Sequence, residues 1–136
     1  TMPQILEGKR IVVVDDSIVR GTTSGPTIEL LRRAGASEVH MRVSSPPIQH
    51  PCYMGVDMAT YDELIAHRMS VEEIRRHINA DTLGYLGLEN MIRATGRPKD
   101  VFCLSCFTGE YPLGHENIVS ECGTPVGAYV GEGGKA

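Results

Sequence analysis

Two adjacent carboxylates, Asp15 and Asp16, are the first residues of this 136-residue chain whose placement suggests chemistry. They close the apolar run Ile11-Val12-Val13-Val14 and open the loop Ser17-Ile18-Val19-Arg20-Gly21-Thr22-Thr23-Ser24. Paired acids can accept hydrogen bonds from sugar hydroxyls, hold a divalent cation, or favour positive charge growing on a sugar ring. The loop behind them is small and hydroxylated and contains a glycine. Its backbone N–H groups can converge near the positive end of the next helix, which is a place for a phosphate. A bare phosphate would be repelled by the acids. A sugar phosphate would not be, because its hydroxyls donate to the carboxylates while its phosphate sits in the loop. A magnesium ion would offset the acids as well. An Asp-Asp pair alone reads as a solvated acidic turn. The ordered series of apolar run, acids, small loop and helix makes it a candidate site.

The cysteines form a second set. Cys52 stands in His50-Pro51-Cys52, and Cys103 and Cys106 form a Cys-x-x-Cys pair; Cys122 is the fourth. This pattern fits zinc, an iron–sulfur cluster, a redox pair or thiols packed as small apolar residues. One zinc arrangement would use Cys52, Cys103 and Cys106 with His50 or Cys122. His40, His67, His77 and His115 show no ligand spacing.

The elements that must position these residues follow from periodicity. Lys9 to Val14 reads as a strand buried on both faces of a parallel sheet, with Asp15 and Asp16 at its carboxyl end, where open α/β sheets bind ligands. A helix follows, capped by Thr22, Thr23 or Ser24, with Pro26 in its first turn, Ile28, Leu31 and Ala34 along one face, and Gly35 ending it. Glu38 to Val43 alternates, with Val39, Met41 and Val43 on one side. Strand, helix and strand make a βαβ crossover. Thr60-x-x-Glu63 and Ser70-x-x-Glu73 read as capping boxes of two further helices. In the second, Val71, Ile74 and Ile78 form the apolar stripe, and Glu72–Arg76 and Glu73–His77 form i,i+4 pairs. Thr82 to Leu86 suits a short strand. Leu88, Met91 and Ile92 mark a helix ending at Gly96. The glycine-rich end reads as a loose tail.

Composition bounds the rest. A net charge of −4 carries no nucleic-acid or membrane-surface footprint, and 41% hydrophobic residues suffice for one core. No apolar run spans a bilayer and the first residues do not form a secretory signal, so the expectation is a cytoplasmic chain with thiols rather than disulfides.

The stretch Val13 to Ser24 resembles the phosphoribosyl-pyrophosphate (PRPP) signature of the type I phosphoribosyltransferases. Its form Asp-Asp-Ser-Ile-Val-Arg-Gly-Thr-Thr is similar to that of the glutamine PRPP amidotransferases, or amidophosphoribosyltransferases. The similarity continues through Ser45-Pro46-Pro47, His50-Pro51-Cys52, Gly55-Val56-Asp57, Glu63 to Ala66, Glu72 to Arg75, Gly84-Tyr85-Leu86 and Cys103-x-x-Cys106-Phe107-Thr108-Gly109, and fades after Pro112. It implies an α/β, partial type I phosphoribosyltransferase fold followed by a mainly helical C-terminal region. It implies formation of 5-phosphoribosylamine from PRPP and ammonia with release of pyrophosphate, the first step of de novo purine synthesis. Asp15 and Asp16 would be catalytic and hold Mg2+. Those two with Ser17, Ile18, Val19, Arg20, Gly21, Thr22 and Thr23 would bind PRPP, Arg20 either adding charge or pointing to solvent. Cys52, Cys103 and Cys106 would be three ligands of a [4Fe–4S] cluster, with the fourth outside the chain.

By this resemblance the chain is the C-terminal part of a longer, homo-oligomeric enzyme whose glutaminase domain supplies the ammonia, with purine nucleotides as regulators. Residues 1–45 would be the PRPP-binding βαβ part, 46–112 the loop and helical region with the cysteines, and 113–136 a poorly defined tail. With two good strands and a bare sheet edge, the fragment should be weakly stable and inactive alone. The alternative is a non-catalytic PRPP- or nucleotide-binding module, or a metal-cluster module.

Overall fold

The computed structural model describes residues 3–58 and 60–112. The expected tail, with His115 and Cys122, lies outside them. After a short helix α1 (Pro3–Leu6), the order is β1 (Arg10–Asp15), α2 (Ser24–Arg33), β2 (Glu38–Val43), a 3-10 turn (Tyr61–Glu63), α3 (Ile65–Arg68), α4 (Val71–His77), β3 (Thr82–Tyr85), α5 (Leu88–Thr95), a second 3-10 turn (Lys99–Val101) and α6 (Ser105–Thr108). The sheet has three strands in the order β1-β2-β3, all parallel, and the short strand expected from Thr82 forms its third member over Thr82–Tyr85. Among the described residues, no helix is long and apolar enough to cross a membrane.

Helices cover one face of the sheet. The alternation of β2 turns Val39, Met41 and Val43 inward, and all three are buried. Ile28 of α2, Ile65 of α3, and Ile74 and Ile78 at α4 complete the core. Full burial of such side chains contributes about 1.5–3 kcal/mol each. The core therefore joins the βαβ unit to the segment after residue 46.

The other face corrects the expectation for β1. Val12 and Val14 are 60% and 71% exposed, so the strand packs on one side only, where Ile11 and Val13 are half-buried against the core. Its continuous apolar run reads the same whether or not a second layer covers it, and no described element packs there. The side chains of β2 and β3 on that face, by contrast, form a polar ladder. Arg10 and His40 both reach the Glu38 carboxylate, while His40 and Arg42 both reach the Thr82 hydroxyl.

Helix ends match expectation better than helix starts. Gly35 follows α2 with φ +97°, and the N–H groups of Gly35 and Ala36 donate to the carbonyls of Arg32 and Leu31. This is the paired end bond that left-handed glycine permits. Asn79 ends α4 the same way, with φ 60° and bonds from Asn79 and Ala80 to Arg76 and Arg75. The Ser70–Glu73 capping box forms in full. The Thr60–Glu63 box does not, because the Glu63 carboxylate is turned to Arg20. No side chain caps α2; the Thr23 carbonyl instead accepts from both the N–H and the hydroxyl of Thr27. In α4, Glu72 pairs with Arg75 and Arg76, while Glu73 is engaged in its box rather than with His77. Val71 faces solvent. Leu88, Met91 and Ile92 of α5 are half-buried.

One carboxylate ties three elements together. Asp81, just before β3, accepts the Val39 N–H at 2.6 Å and the Arg32 guanidinium at 2.8 Å. Those partners, the Val39 amide first, hold its carboxyl below the usual carboxylate range. The folded chain therefore binds fewer protons here than the unfolded chain. Asp81 stabilises the fold above about pH 4, and that stabilisation drains away as pH falls through the depressed folded value. Asp81→Ala should cost about 1–3 kcal/mol by leaving the Val39 N–H without its acceptor. Urea denaturation at pH 7 and at pH 3 checks both statements: the Asp81→Asn variant should lose less stability than the parent between the two.

Candidate functional site

Parallel pairing sets the position of the acids. Asp15 aligns with Val43, and Val43 with Tyr85, so the carboxyl ends of all three strands lie along one sheet edge. The Asp15 carbonyl accepts from both the N–H and the hydroxyl of Ser44, at 2.9 and 2.8 Å, which pins the end of β1. The side chains stay local. Asp15 Oδ1 accepts the Asp16 N–H at 3.0 Å, and Asp16 Oδ1 accepts the Ser17 N–H at 2.7 Å. Asp15 is half-buried and Asp16 exposed. Among the described residues, neither forms an ion pair with a cationic side chain, so one oxygen of each carboxylate is available to a ligand. That donor set suits a hard cation, since magnesium is commonly held by one or two carboxylates plus substrate oxygens.

The loop beyond them surrounds a cavity of about 260 Å³, lined by residues 17–24. Among the described residues, no N–H group of residues 18–23 donates a hydrogen bond within the chain. Unpaired amides around a concave surface are an anion site in waiting. Gly21 has φ +75°, and a Cβ there would stand 2.9 Å from Ile65 Cδ1. The position thus needs glycine for two reasons, backbone conformation and the close approach of α3. Arg20 is exposed, and its guanidinium pairs with Glu63 at 3.1 Å.

Two groups at the same edge escaped sequence reasoning. The Ser45 and Tyr85 hydroxyls are buried with no hydrogen-bond partner among the described residues. Burial pushes the Tyr85 phenol up to about 12, so it remains a neutral donor at physiological pH. Gly84-Tyr85 marked a strand but gave no hint of an orphaned hydroxyl.

The cysteines converge from distant parts of the chain. The N–H groups of Gln49 and His50 both donate to the Cys106 carbonyl, at 3.0 and 3.1 Å. The Tyr111 hydroxyl donates to the Pro51 carbonyl at 2.7 Å. Cys52 and Cys106 are half-buried against Ile48, Met58 and Leu64. Burial, then the nearby Cys52 and Cys103, push the Cys106 thiol up, whereas the Ser105 hydroxyl holds the exposed Cys103 thiol below its ordinary value. All three are free thiols. Yet among the described residues no three His, Cys, Asp or Glu side chains stand in a metal-holding arrangement. The three thiols gather without forming a ligand set.

No family model matches the chain. Individual proteins do. The amidophosphoribosyltransferase of Bacillus subtilis is 56% identical over 112 residues, covering 79% of this chain and 24% of its own length. Amidophosphoribosyltransferase 2, chloroplastic, of Arabidopsis thaliana is 57% identical over 109 residues, covering 80% and 19%. Among solved structures, glutamine PRPP amidotransferase from B. subtilis complexed with ADP and GMP superposes with a TM-score of 0.76 at 54% identity, covering 82% of this chain and 26% of that one. The chain therefore spans a quarter or less of the length of these curated relatives.

The two demands on Gly21 give a direct test. Gly21→Ala should cost about 1–2 kcal/mol for the left-handed backbone alone. The buried Ile65 adds to that cost. Trimming the neighbour in Gly21→Ala/Ile65→Val should recover only part of the loss. Thermal melts of the parent, both single variants and the double variant separate the two contributions.

Proposed function

We propose, from the premise that this chain is homologous over about four-fifths of its length to a segment of the amidophosphoribosyltransferases, that it forms the PRPP-binding part of such an enzyme. The parent reaction would join ammonia to C1 of PRPP, break the C1–oxygen bond and release pyrophosphate, giving 5-phosphoribosylamine for purine synthesis. The observation that carries this reading is the run of N–H groups at residues 18–23 that, among the described residues, donate to no acceptor, in the loop lining the cavity beside two carboxylates that no described cationic side chain pairs with.

In this reading the amides of Ile18 to Thr23, with the hydroxyls of Ser17, Thr22 and Thr23, bind the 5-phosphate. Asp15 and Asp16 accept hydrogen bonds from the ribose 2- and 3-hydroxyls. Departure of pyrophosphate leaves positive charge on C1 and the ring oxygen, and two fixed carboxylates near the ring favour that charge, as in glycoside hydrolysis. Mg2+, when bound, supplies charge neutralisation for the leaving pyrophosphate. Asp15 and Asp16 are the residues that would hold it. Ammonia attacks as a free nucleophile, so the chain needs no general base of its own.

The parent would be a cytoplasmic homo-oligomer fed by a glutaminase domain. Purine nucleotides as regulators accord with the ADP and GMP named for the solved relative. The expected [4Fe–4S] cluster on Cys52, Cys103 and Cys106 is supported by their convergence but not by a ligating geometry, and no step of the reaction passes through it. Three thiolates fall short of the usual four. The chain purified without oxygen should hold iron and labile sulfide well below stoichiometry, and elemental analysis for iron and zinc reads this directly.

Isothermal titration with PRPP and Mg2+ tests the main reading. Saturable binding is expected, and Asp15→Asn/Asp16→Asn should weaken it at least tenfold by removing both sugar and metal contacts. Ammonia-dependent pyrophosphate release distinguishes a catalytic segment from a binding module, and the isolated chain should show binding without turnover. Failure to bind PRPP would leave the loop without its assigned ligand.

A further inference from the structure

The segment that opens α3 grips the anion loop at three consecutive residues. The Ile65 N–H donates to the Val19 carbonyl at 2.9 Å. The Glu63 carboxylate takes the Arg20 guanidinium at 3.1 Å. Ile65 Cδ1 occupies the space beside Gly21. Arg20 is the one cation among residues 17–24, which line the cavity. Its charge is nevertheless committed to a carboxylate that does not belong to that lining. The pair is wet, with side chains 41% and 36% exposed.

We infer that Glu63 is a positioning residue that holds Arg20 off the anion loop and surrenders it to a phosphate dianion entering the cavity. The inference rests on the sugar-phosphate reading of the loop. A half-exposed pair of this kind is weak, and a weak pair is what a removable restraint requires. Because the Val19 carbonyl is tied to Ile65 and Gly21 is packed against it, the backbone on both sides of Arg20 is fixed. The side chain can then change partner without carrying the loop along. Glu63 thereby opposes any ligand that recruits Arg20, and a dianion does so more strongly than a neutral sugar. Removing the Glu63 charge should tighten dianion binding by the strength of the pair, about two- to five-fold.

The test is calorimetric titration of the 136-residue chain with ribose 5-phosphate, with ribose as the neutral control. Parent, Glu63→Gln, Arg20→Ala and the double variant are compared. Glu63→Gln keeps side-chain length and hydrogen bonding, and Glu63→Ala serves as a second variant. Both should bind ribose 5-phosphate about two- to five-fold more tightly than the parent. The Arg20→Ala/Glu63→Gln variant should bind as Arg20→Ala does, a coupling that a general structural role would not produce. In the parent, the Arg20 Nε–H resonance should move on titration with ribose 5-phosphate and stay still with ribose. Unchanged or weaker binding by both Glu63 variants, or a gain that persists without Arg20, overturns the inference while leaving the sugar-phosphate reading intact. No binding by parent and variants alike overturns both.

Discussion

Parallel pairing of β1 with β2 is the constraint from which the candidate site follows. In a parallel pair both carboxyl ends fall on the same edge, so one register decides where Asp15 stands relative to everything after β2. The Asp15–Val43 alignment brings Ser44 under the Asp15 carbonyl, and the Val43–Tyr85 alignment extends the edge across β3. Burial of Val39, Met41 and Val43 fixes that register, because a one-residue slip would turn them to the polar face and bring Glu38, His40 and Arg42 into the core. The acids are thus positioned by residues that never touch a ligand.

The uncovered sheet face has its own logic. Glu38, His40, Thr82 and Arg42 form a consistent relay. Arg42 donates to the Thr82 oxygen, the Thr82 hydroxyl can donate to His40 Nδ1, and His40 Nε2–H to the Glu38 carboxylate, which Arg10 also reaches. The hydrogen assignment follows from which atoms can only donate or only accept. This ladder satisfies the polar side chains of β2 across both of its neighbours, and the apolar exposure of the face is concentrated on β1, at Val12 and Val14.

What the sequence made legible divides along physical lines. Glu38 to Val43 was readable to the residue, because alternation of period two is local and its buried side is unambiguous. Gly35, Gly96 and the Ser70–Glu73 box were readable because each answers to backbone geometry within a few residues. The faces of β1 were not, since four β-branched residues in a row describe a buried strand and an open one equally well. Glu63 was misread because Thr-x-x-Glu spacing permits a box without requiring it, and the competing partner, Arg20, lies far away along the chain. Convergence of Cys52 on Cys106 was suggested by the resemblance and by one of several possible zinc arrangements. No local pattern could report that Gln49 and His50 share the Cys106 carbonyl. The acids and the small loop were legible as a site because their chemistry is contiguous in sequence. The orphaned Ser45 and Tyr85 hydroxyls were not, because being unpartnered is a property of the packed chain.

The loop itself shows how rigidity and availability are reconciled. A loop that presents free amides to a ligand gives up the internal hydrogen bonds that would otherwise hold it, and ordering each residue costs about 1–2 kcal/mol of backbone entropy. Among the described residues, the backbone N–H groups of 18–23 find no acceptor within the chain, so the order of the loop must come from elsewhere. It comes from the acceptor and packing side: the Val19 carbonyl, the open Cα of Gly21, and the buried Ile18 side chain in the main core. Every one of these contacts leaves the N–H groups untouched. Ile18, Gly21 and Ile65 therefore belong to the site as fully as the acids do. They fix the amides in place without consuming them, which a loop braced through its own donors could not do.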